Sequence, residues 1–600
     1  MRQNNLSIHS ENILPIIKKW LYSDKDIFIR ELVSNATDAL NKVRILRDHG
    51  QLTAEDKEFK ISIKIDKAKK TISIVDTGIG MTEEEVEKYI AQIAFSGAEE
   101  FVAKYKSKDE KDPIIGHFGL GFYSAYMVAA KVEIDTISYL PDSESVFWSC
   151  DGTQSYSIGA GARSSRGTQI TLHLDEANLE YLEEAKLKEL LVRYCNFMPF
   201  PIELNGVSIG NKAPLWLKSP SECTEKEYLE FYHQLFPMDQ EPLFWVHLNV
   251  DYPFNLKGIL FFPKIHRRFD RDESTIKLFC NRVFVSDNCK EILPDYLTIL
   301  RGAIDSPDIP LNVSRSYLQV DQNVKQLSSH ISKKISDRLS LLYKNDRAKY
   351  IDAYSDIEMI VKLGLLQDEK FFERIKDVLI WKNSAGEWTT VSEYIERSND
   401  KKVYYSISDR ATQILQLYKE KNLEILLAPL PIDTAVIQFL EDKLSLTFQR
   451  IDGALGDQLL DPSREKSVLD ADGKTLSSKL AAFIKNVLQD TEVEAKSLAS
   501  DQLPAILVLD ENQRRLRDYM SLTQGKMPFA AKKTFVVNTN SPLIQTIARL
   551  QEKQPEIAGE MAKSVYDLSL LSQRELDPAD LEKLVSRQTQ ILEKLGSLIS

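Results

Sequence analysis

The chain predicts an α/β (α+β) fold divided into several domains. Three observations carry that reading: 600 residues exceed what one hydrophobic core usually organises, strands and helices alternate through the first two regions, and the last region ends in helical patterns. In the first region Phe59 to Asp66, Thr71 to Asp76, Lys131 to Ser138 and Thr168 to Leu174 read as strands, with helices expected to cover one face of their sheet.

The first strong element is a helix. Ser23-Asp24-Lys25-Asp26 reads as a start of the capping-box kind, ahead of Phe28-Ile-Arg-Glu-Leu-Val-Ser-Asn-Ala-Thr-Asp-Ala-Leu40. Leu32, Ala36, Ala39, Leu40 and Val43 recur at helical spacing as one apolar stripe, while Glu31, Asn35 and Asp38 share a second face. A carboxylate beside a carboxamide suits phosphate chemistry: an Asn oxygen is a hard, neutral Mg²⁺ ligand, and a Glu can orient water for in-line attack. On an isolated helix the same face would read first as a solvated surface.

Strict alternation in Thr71-Ile-Ser-Ile-Val-Asp76 puts Asp76 on the side of Ile72 and Ile74, toward the apolar face. A buried carboxylate needs hydrogen-bond donors, and an adenine amino group is a suitable one; a plain strand-ending turn is the alternative. Six of the 23 glycines then fall between Asp76 and Gly121, in Asp76-Thr-Gly-Ile-Gly-Met81, Ser96-Gly97 and Gly116-His-Phe-Gly-Leu-Gly-Phe122. Such spacing lets backbone amides approach an anion and lets a segment swing, which points to a nucleotide-phosphate site with a movable cover.

In this order and spacing, Glu-x-x-x-Asn, Asp-x-Gly-x-Gly and Gly-x-x-Gly-x-Gly resemble the GHKL ATPases. Within that superfamily, residues 30–40, Ile114-Ile-Gly-His-Phe-Gly-Leu-Gly-Phe-Tyr-Ser-Ala-Tyr126 and Arg166-Gly-Thr-Gln-Ile170 resemble the heat-shock protein 90 chaperones. The similarity continues through Lys212-Ala-Pro-Leu-Trp216, Ile276-Lys-Leu-Phe279, Arg282-Val-Phe-Val285, Leu311-Asn-Val-Ser-Arg-Ser-Tyr-Leu-Gln319 and Asn540-Ser-Pro-Leu-Ile544, in the manner of the bacterial HtpG type.

The resemblance implies an N-terminal GHKL (Bergerat) α/β sandwich over residues 1–211 that binds ATP with Mg²⁺, an α/β middle domain over 212–475, and a mixed helical C-terminal dimerisation domain over 476–600. It implies an ATP-dependent chaperone of the stress response: a cytoplasmic homodimeric clamp that hydrolyses ATP to drive conformational cycling on partly folded client proteins, alongside other bacterial chaperones. By the same resemblance Asp76 and Thr168 hold adenine, Asn35 binds Mg²⁺, and Glu31 with Arg30 orients the attacking water. Gly119, Gly121 and Phe122 offer amides to phosphate, and Asp38, Gly80, Met81, Ser96, Gly97, Gly116 and Leu120 complete the ATP site. Residues from about 93 to 121 would form a lid. Arg315 would reach the terminal phosphate from the middle domain, with Gln319 assisting, and stabilise the charge of the departing phosphoryl group. Two lid positions depart from the family pattern: Phe95 stands where Lys or Arg is common, and His117 where Gln is. Tyr89, Ala91 and Gln92 also differ from the usual Asn-x-Gly-Thr.

Asn205 to Lys212 reads as a short polar connector. Beyond it, Gly258 to Lys264 and Ile276 to Ser286 read as strands, Lys290 to Ala303 and Val324 to Tyr343 as helical. Near the end, Asp577-Pro578 supplies an N-cap and a first-turn proline, and Leu581, Leu584, Gln588, Ile591, Leu595 and Leu598 form a narrow apolar seam. Periodicity fits intrachain packing and dimerisation alike; the resemblance selects dimerisation. Leu595-Gly-Ser-Leu-Ile-Ser600 is not the acidic tail of cytosolic eukaryotic relatives, so helical-repeat co-chaperones that read that tail are not expected.

Composition excludes more than it identifies. A net charge of −12 and a pI near 5.4 argue against a nucleic-acid footprint. No apolar run approaches a membrane span, and the polar first residues do not read as a secretory signal. Five cysteines without a Cys-x-x-Cys pair do not suggest a disulfide framework, and eight scattered histidines do not suggest zinc. A histidine kinase would need a phosphoacceptor histidine in a helical segment before the ATPase motifs, and only His9 precedes Glu31.

Overall fold

The computed structural model describes residues 24–52, 59–92, 95, 97, 101, 115–116, 119–153, 155–210, 213–252, 254–264, 276–287, 292–309, 322–407, 413–453, 455, 457–461, 475–489, 491–509, 533–573 and 576–597. The chain forms two compact units, residues 1–338 and 339–600.

The first unit contains two sheets. Helix α1 (Ile27–Asp48) precedes β1 (Ile61–Asp66) and β2 (Thr71–Asp76), and helix α2 (Glu83–Tyr89) follows them. Next come β3 (Ala129–Ile137), β4 (Val146–Cys150), β5 (Tyr156–Ala160), β6 (Gly167–Leu174), helix α3 (Glu184–Cys195), β7 (Ile202–Leu204) and β8 (Val207–Ile209). These strands make one eight-stranded sheet in the order β5-β4-β3-β6-β2-β1-β7-β8. Its inward residues, among them Ile63, Ile72, Ile74, Val132, Ile134 and Leu172, are buried under α1, α3 and the 3₁₀ turn Gly121–Met127. The other face alternates partly exposed residues, as a sheet covered on one side requires.

The start of α1 differs from the expected capping box. The Asp26 side chain makes no cap hydrogen bond; it accepts from Tyr181 Oη at 2.6 Å and pairs with Lys186, because α3 and the turn before it compete for the same carboxylate. Ser23 lies outside the described residues. The apolar stripe is present except at Ala39, which with Asn35 is only half-buried and faces the loop after β2.

The polar connector expected at Asn205 to Lys212 instead contains a hairpin. Asn205 and Gly206 both take positive φ, 48° and 84°, as a two-residue turn between β7 and β8 demands. The Asn-Gly pair was the available signal. Its strands add an edge to the first sheet.

The second sheet runs β12-β11-β13-β10-β9, from β9 (Phe244–Val250), β10 (Leu256–Phe262), β11 (Ile276–Cys280), β12 (Val283–Ser286) and β13 (Arg301–Asp305). Two expectations fail here. The single strand expected over 276–286 is a hairpin, turned at Asn281 and Arg282 with φ of 49° and 69°. The helix expected over 290–303 is one 3₁₀ turn, Asp295–Leu297, and strand β13: Pro294 cannot continue a helix, and pairing with β10 and β11 satisfies the backbone of 301–305. The helix expected at Val324 to Tyr343 is present as Gln322–Asn345.

The two sheets of this unit are bridged by the chain after α3. Phe197 inserts among Trp216, Phe231 and Phe279 with ring centroids at 5.0, 6.0 and 5.4 Å, and its carbonyl accepts from Arg282 Nε at 2.6 Å. The next residue, Met198, meets the Thr37 hydroxyl of α1 through its sulfur. Asp305, whose carboxyl burial pushes up, accepts from Trp216 Nε1 and from the Arg282 amide. Those bonds offset the left-handed conformation of Arg282.

The second unit holds a five-stranded and a three-stranded sheet among helices. Its buried Lys362 pairs with Glu358 and Asp433, and Trp381 Nε1 donates to the same Asp433 at 3.1 Å. At its end, helices α4 (Pro555–Ser572) and α5 (Leu581–Ser597) pack together. Leu584 is buried there, Gln588 bonds Ser564, and Arg587 pairs with Asp567 and Glu560. The expected seam is therefore partly used within the chain. Leu581, Val585 and Leu592, four and seven residues apart, form an exposed apolar stripe on α5, and Leu568 and Leu571 of α4 are exposed as well. Leu598 and the side chain of Leu595 lie outside the described residues.

Phe197→Ala empties a pocket lined by three aromatic rings, so it is expected to destabilise the first unit by about 3–5 kcal/mol, measured as a shift in urea unfolding of the full chain. A loss under about 1 kcal/mol would mean the pocket collapses freely around the gap.

Candidate functional site

Alternation along β2 puts Asp76 beside Ile72 and Ile74, and its carboxylate is buried. Oδ1 accepts from the Gly78 amide at 2.8 Å and from the Thr168 amide at 3.3 Å. Among the described residues no donor reaches Oδ2. Gly167 allows this arrangement: with φ of 121°, a side chain there would press within 2.2 Å of the Asp76 carbonyl oxygen.

A hydroxyl that sequence reasoning missed organises the same corner. Thr136 of β3 accepts from the Met81 amide at 3.1 Å, donates to the Gly167 carbonyl at 3.2 Å and lies 3.0 Å from the Thr168 hydroxyl. Thr136 and Thr168 are directly paired across β3 and β6. The available signal was a hydroxyl falling in step with Val132 and Ile134 on the buried face. Gly80 lies against the Ile137 carbonyl, so residues 78–81 are held by β3 on one side. On the other, the Ile79 amide donates to Ala39 of α1.

Along α1, Arg30 Nε and Nη2 donate to Glu31 Oε1 at 3.0 and 2.8 Å, both side chains being buried. The second carboxylate oxygen of Glu31 faces Gly121: a Cβ added at Gly121 would lie 2.8 Å from Glu31 Oε2 and 3.7 Å from the Asn35 side-chain oxygen. Only a residue without a side chain brings its backbone this close. Asp38 accepts from the amides of Ile115 and Gly116, both at 2.7 Å, so its charge anchors the start of the last glycine group onto the helix.

The helical face of Glu31, Asn35 and Asp38 is thus brought together with Gly116 and Gly121. Phe122 is buried, its ring edge-on to Tyr123, Tyr126 and Trp148, so it fixes the turn through the core while its backbone stays at the site. Leu120 packs partly against the same core. Gly119 lies against the backbone of Phe95, and Gly97 against the Tyr89 ring. Phe95 itself stacks on Tyr89, centroids 6.1 Å apart, with Lys88 5.2 Å from its ring centre. Ser96, His117, Arg315 and Gln319 lie outside the described residues.

The site combines a buried acceptor, a carboxylate clamped by an arginine, a carboxamide oxygen and glycine amides. That set can grip a base, a small cation and phosphates at once. The half-buried Asn35 suits a cation that keeps water and phosphate oxygens in its shell, as Mg²⁺ does. Among the described residues no group of three or more His, Cys, Asp or Glu could hold a metal alone, and no helix is long and apolar enough to cross a membrane.

Residues 24–172 match the family model of histidine kinase-, DNA gyrase B- and HSP90-like ATPases, and residues 206–596 match that of the Hsp90 protein family. The chain is 40% identical to the chaperone protein HtpG of Porphyromonas gingivalis over 587 residues, 92% of this chain and 85% of that one. It is 38% identical to the HtpG of Bacteroides thetaiotaomicron, covering 97% and 89% of the two chains. To the mitochondrial TNF receptor-associated protein 1 homolog of Dictyostelium discoideum it is 31% identical over 98% and 85%.

Burial pushes the Asp76 carboxyl up to about 6, against the opposing pull of the Gly78 amide, Arg163, the Thr168 amide and Arg166. A carboxyl whose folded value lies above its unfolded value of 3.8 costs stability as pH rises between the two, and the cost stays in full above about 6. Without nucleotide, Asp76→Asn is therefore expected to be about 1–3 kcal/mol more stable than the intact chain at pH 7, the gap closing below about pH 4, in urea unfolding. A variant no more stable at pH 7 would mean that the carboxylate's hydrogen bonds outweigh its desolvation.

Proposed function

The chain belongs to the Hsp90 family and is an ATP-dependent molecular chaperone with ATPase activity, and from that footing we propose how its residues carry out the cycle. Asp76 accepts the adenine amino proton through Oδ2, with Thr168 beside it, and Gly80, Met81, Asp38, Ser96, Gly97, Gly116 and Leu120 line the rest of the nucleotide site. Asn35 holds Mg²⁺ through its side-chain oxygen, and a bound Mg²⁺ neutralises phosphate charge. Glu31 orients the attacking water while Arg30 keeps its carboxylate in place. Gly119, Gly121 and Phe122 offer backbone amides to phosphate. The observation that carries this reading is the approach of Gly121 to Glu31 and Asn35, which supports phosphate binding and water orientation at one point.

The organisation that fits is an ATP-binding domain over 1–211, a middle domain over 212–475 bearing Arg315, Gln319 and client surface, and a dimerisation domain over 476–600. Residues from about 93 to 121 close over bound ATP, and Arg315 then meets the terminal phosphate. The work is done in the cytoplasm by a homodimer acting on partly folded clients, in company with other bacterial chaperones. Dimerisation through α4 and α5 is supported by their exposed stripe of Leu568, Leu571, Leu581, Val585 and Leu592.

Binding and chemistry should separate by mutation. Asp76→Asn is expected to weaken ADP and ATP alike; Glu31→Ala should bind both and fail to hydrolyse ATP; Arg315→Ala should slow single-turnover cleavage about tenfold or more with ADP affinity nearly intact. Normal ADP affinity of Asp76→Asn in calorimetry removes the adenine assignment, and full turnover in Glu31→Ala removes the water-orienting one.

A charge placed in the exposed stripe tests the assembly. Val585→Asp with Leu592→Asp should give a monomer at micromolar concentration by light scattering, with reduced ATPase activity because the paired N-terminal domains lose their tether. A dimer that survives both substitutions puts the interface elsewhere.

A further inference from the structure

The segment between β5 and β6, Gly161-Ala-Arg-Ser-Ser-Arg166, has a structure that the nucleotide chemistry above does not explain. It is fastened to β3 and to the residue preceding β4. The Gly161 amide donates to the Ser145 carbonyl at 2.8 Å, the Ala162 amide to both Asp135 carboxylate oxygens at 3.2 Å, and the Arg163 amide to the Ser145 hydroxyl at 3.1 Å. The Ser145 hydroxyl in turn donates to Asp135 at 3.1 Å. A Cβ at Gly161 would come within 2.3 Å of that hydroxyl, so the segment is seated on the sheet with no room to spare.

From this seat two guanidinium groups reach the end of β2. Arg166 donates to the Thr77 carbonyl through Nε at 3.3 Å and Nη2 at 3.1 Å. Arg163 donates to the Asp76 carbonyl at 3.4 Å and to the carbonyls of Ser165 and Arg166. Both carbonyls follow the last residue pair between β2 and β6, Val75 with Gln169. The peptide they hold is the one that aims the Gly78 amide at Asp76 Oδ1.

We propose that Arg163 and Arg166 are positioning residues of the adenine subsite, clasping the Asp76 and Thr77 carbonyls so that Asp76 presents its Oδ2 to the base. The proposal rests on the reading that Asp76 receives adenine. The clasp acts twice: it fixes the turn that occupies Oδ1, and it sets two positive charges behind a carboxylate that burial would otherwise hold neutral. The other groups facing Asp76 do not do this. Thr136 and Thr168 are uncharged, Asp38 of α1 is engaged by the amides of Ile115 and Gly116, and Lys60 before β1 extends to Glu203. Lys42, further along α1, faces Asp38 and Glu85.

The test is ADP affinity of the full chain by calorimetry from pH 5 to pH 8.5, for the intact protein, Arg166→Gln, Arg163→Gln, Arg166→Lys and Asp76→Asn. A base that donates to Asp76 competes with a proton there, so intact affinity should fall as pH drops through about 6. The phosphate ionisation of ADP is common to every arm. In each Arg→Gln variant the fall should begin about half a pH unit higher or more, giving binding about threefold weaker or more at pH 5, about twofold at pH 6, and almost no deficit at pH 8.5. Arg166→Lys, which keeps the charge, should return most of the shift. If Arg166→Gln does not fold, Arg163→Gln and Arg166→Lys carry the comparison. A uniform loss at all pH values, or none, with Asp76→Asn still weakened, would overturn the clasp and leave the adenine reading standing. Unchanged affinity of Asp76→Asn would overturn the adenine reading itself.

Discussion

Folding removes the Asp76 carboxylate from water at the end of a strand whose other inward residues are Ile72 and Ile74. A buried charge of this kind is costly unless donors surround it, and the first sheet is arranged around supplying them. The Gly78 amide comes from the turn after β2 and the Thr168 amide from β6, while two guanidinium groups from the segment before β6 donate to the backbone carbonyls of Asp76 and Thr77 and set positive charge near the carboxylate. For β6 to approach closely enough, residue 167 must be glycine. The chain thus tolerates a destabilised carboxyl, one oxygen of which receives no donor among the described residues.

Helix α1 faces two ways. Leu32, Ala36, Leu40 and Val43 pack into the core, while Glu31, Asn35 and Asp38 meet the glycine groups. Because both faces belong to one rigid helix, the carboxylate clamped by Arg30 and the amides held by Asp38 keep a fixed spacing. Thr37 extends the same helix to Met198, whose neighbour Phe197 is lodged in the second sheet's aromatic pocket. Helix α1 and the hairpin turned at Asn281 and Arg282 are therefore linked through Met198 and Phe197 within a single compact unit. Close-packed contacts of this kind transmit strain.

At the far end of the chain the same physics separates two uses of apolar residues. Leu584 is consumed by packing of α5 on α4, and the charge pair of Arg587 with Asp567 and Glu560 sets their register. Val585 and Leu592 remain exposed at a cost that burial against another surface would recover.

The amino-acid sequence by itself determined the elements whose signal is local. Period-two alternation carried β2 and the inward direction of Asp76, helical spacing carried the two faces of α1, and glycine spacing marked the amide-rich segments. The motifs together carried the family. Tertiary structure decided whatever depends on competition between distant partners. Asp26 left its helix cap for Tyr181 and Lys186; residues 301–305 became a strand because β10 and β11 offered backbone partners; the C-terminal seam was divided between intrachain packing and an exposed stripe. Thr136 and the arginines at 163 and 166 belong to the same class. Their local signals, a hydroxyl in step with Val132 and Ile134 and an arginine opening the Arg166-Gly-Thr motif, do not say what they touch, and their contacts arise only when the sheet order sets β3, β6 and the end of β2 side by side, where a buried carboxylate requires donors.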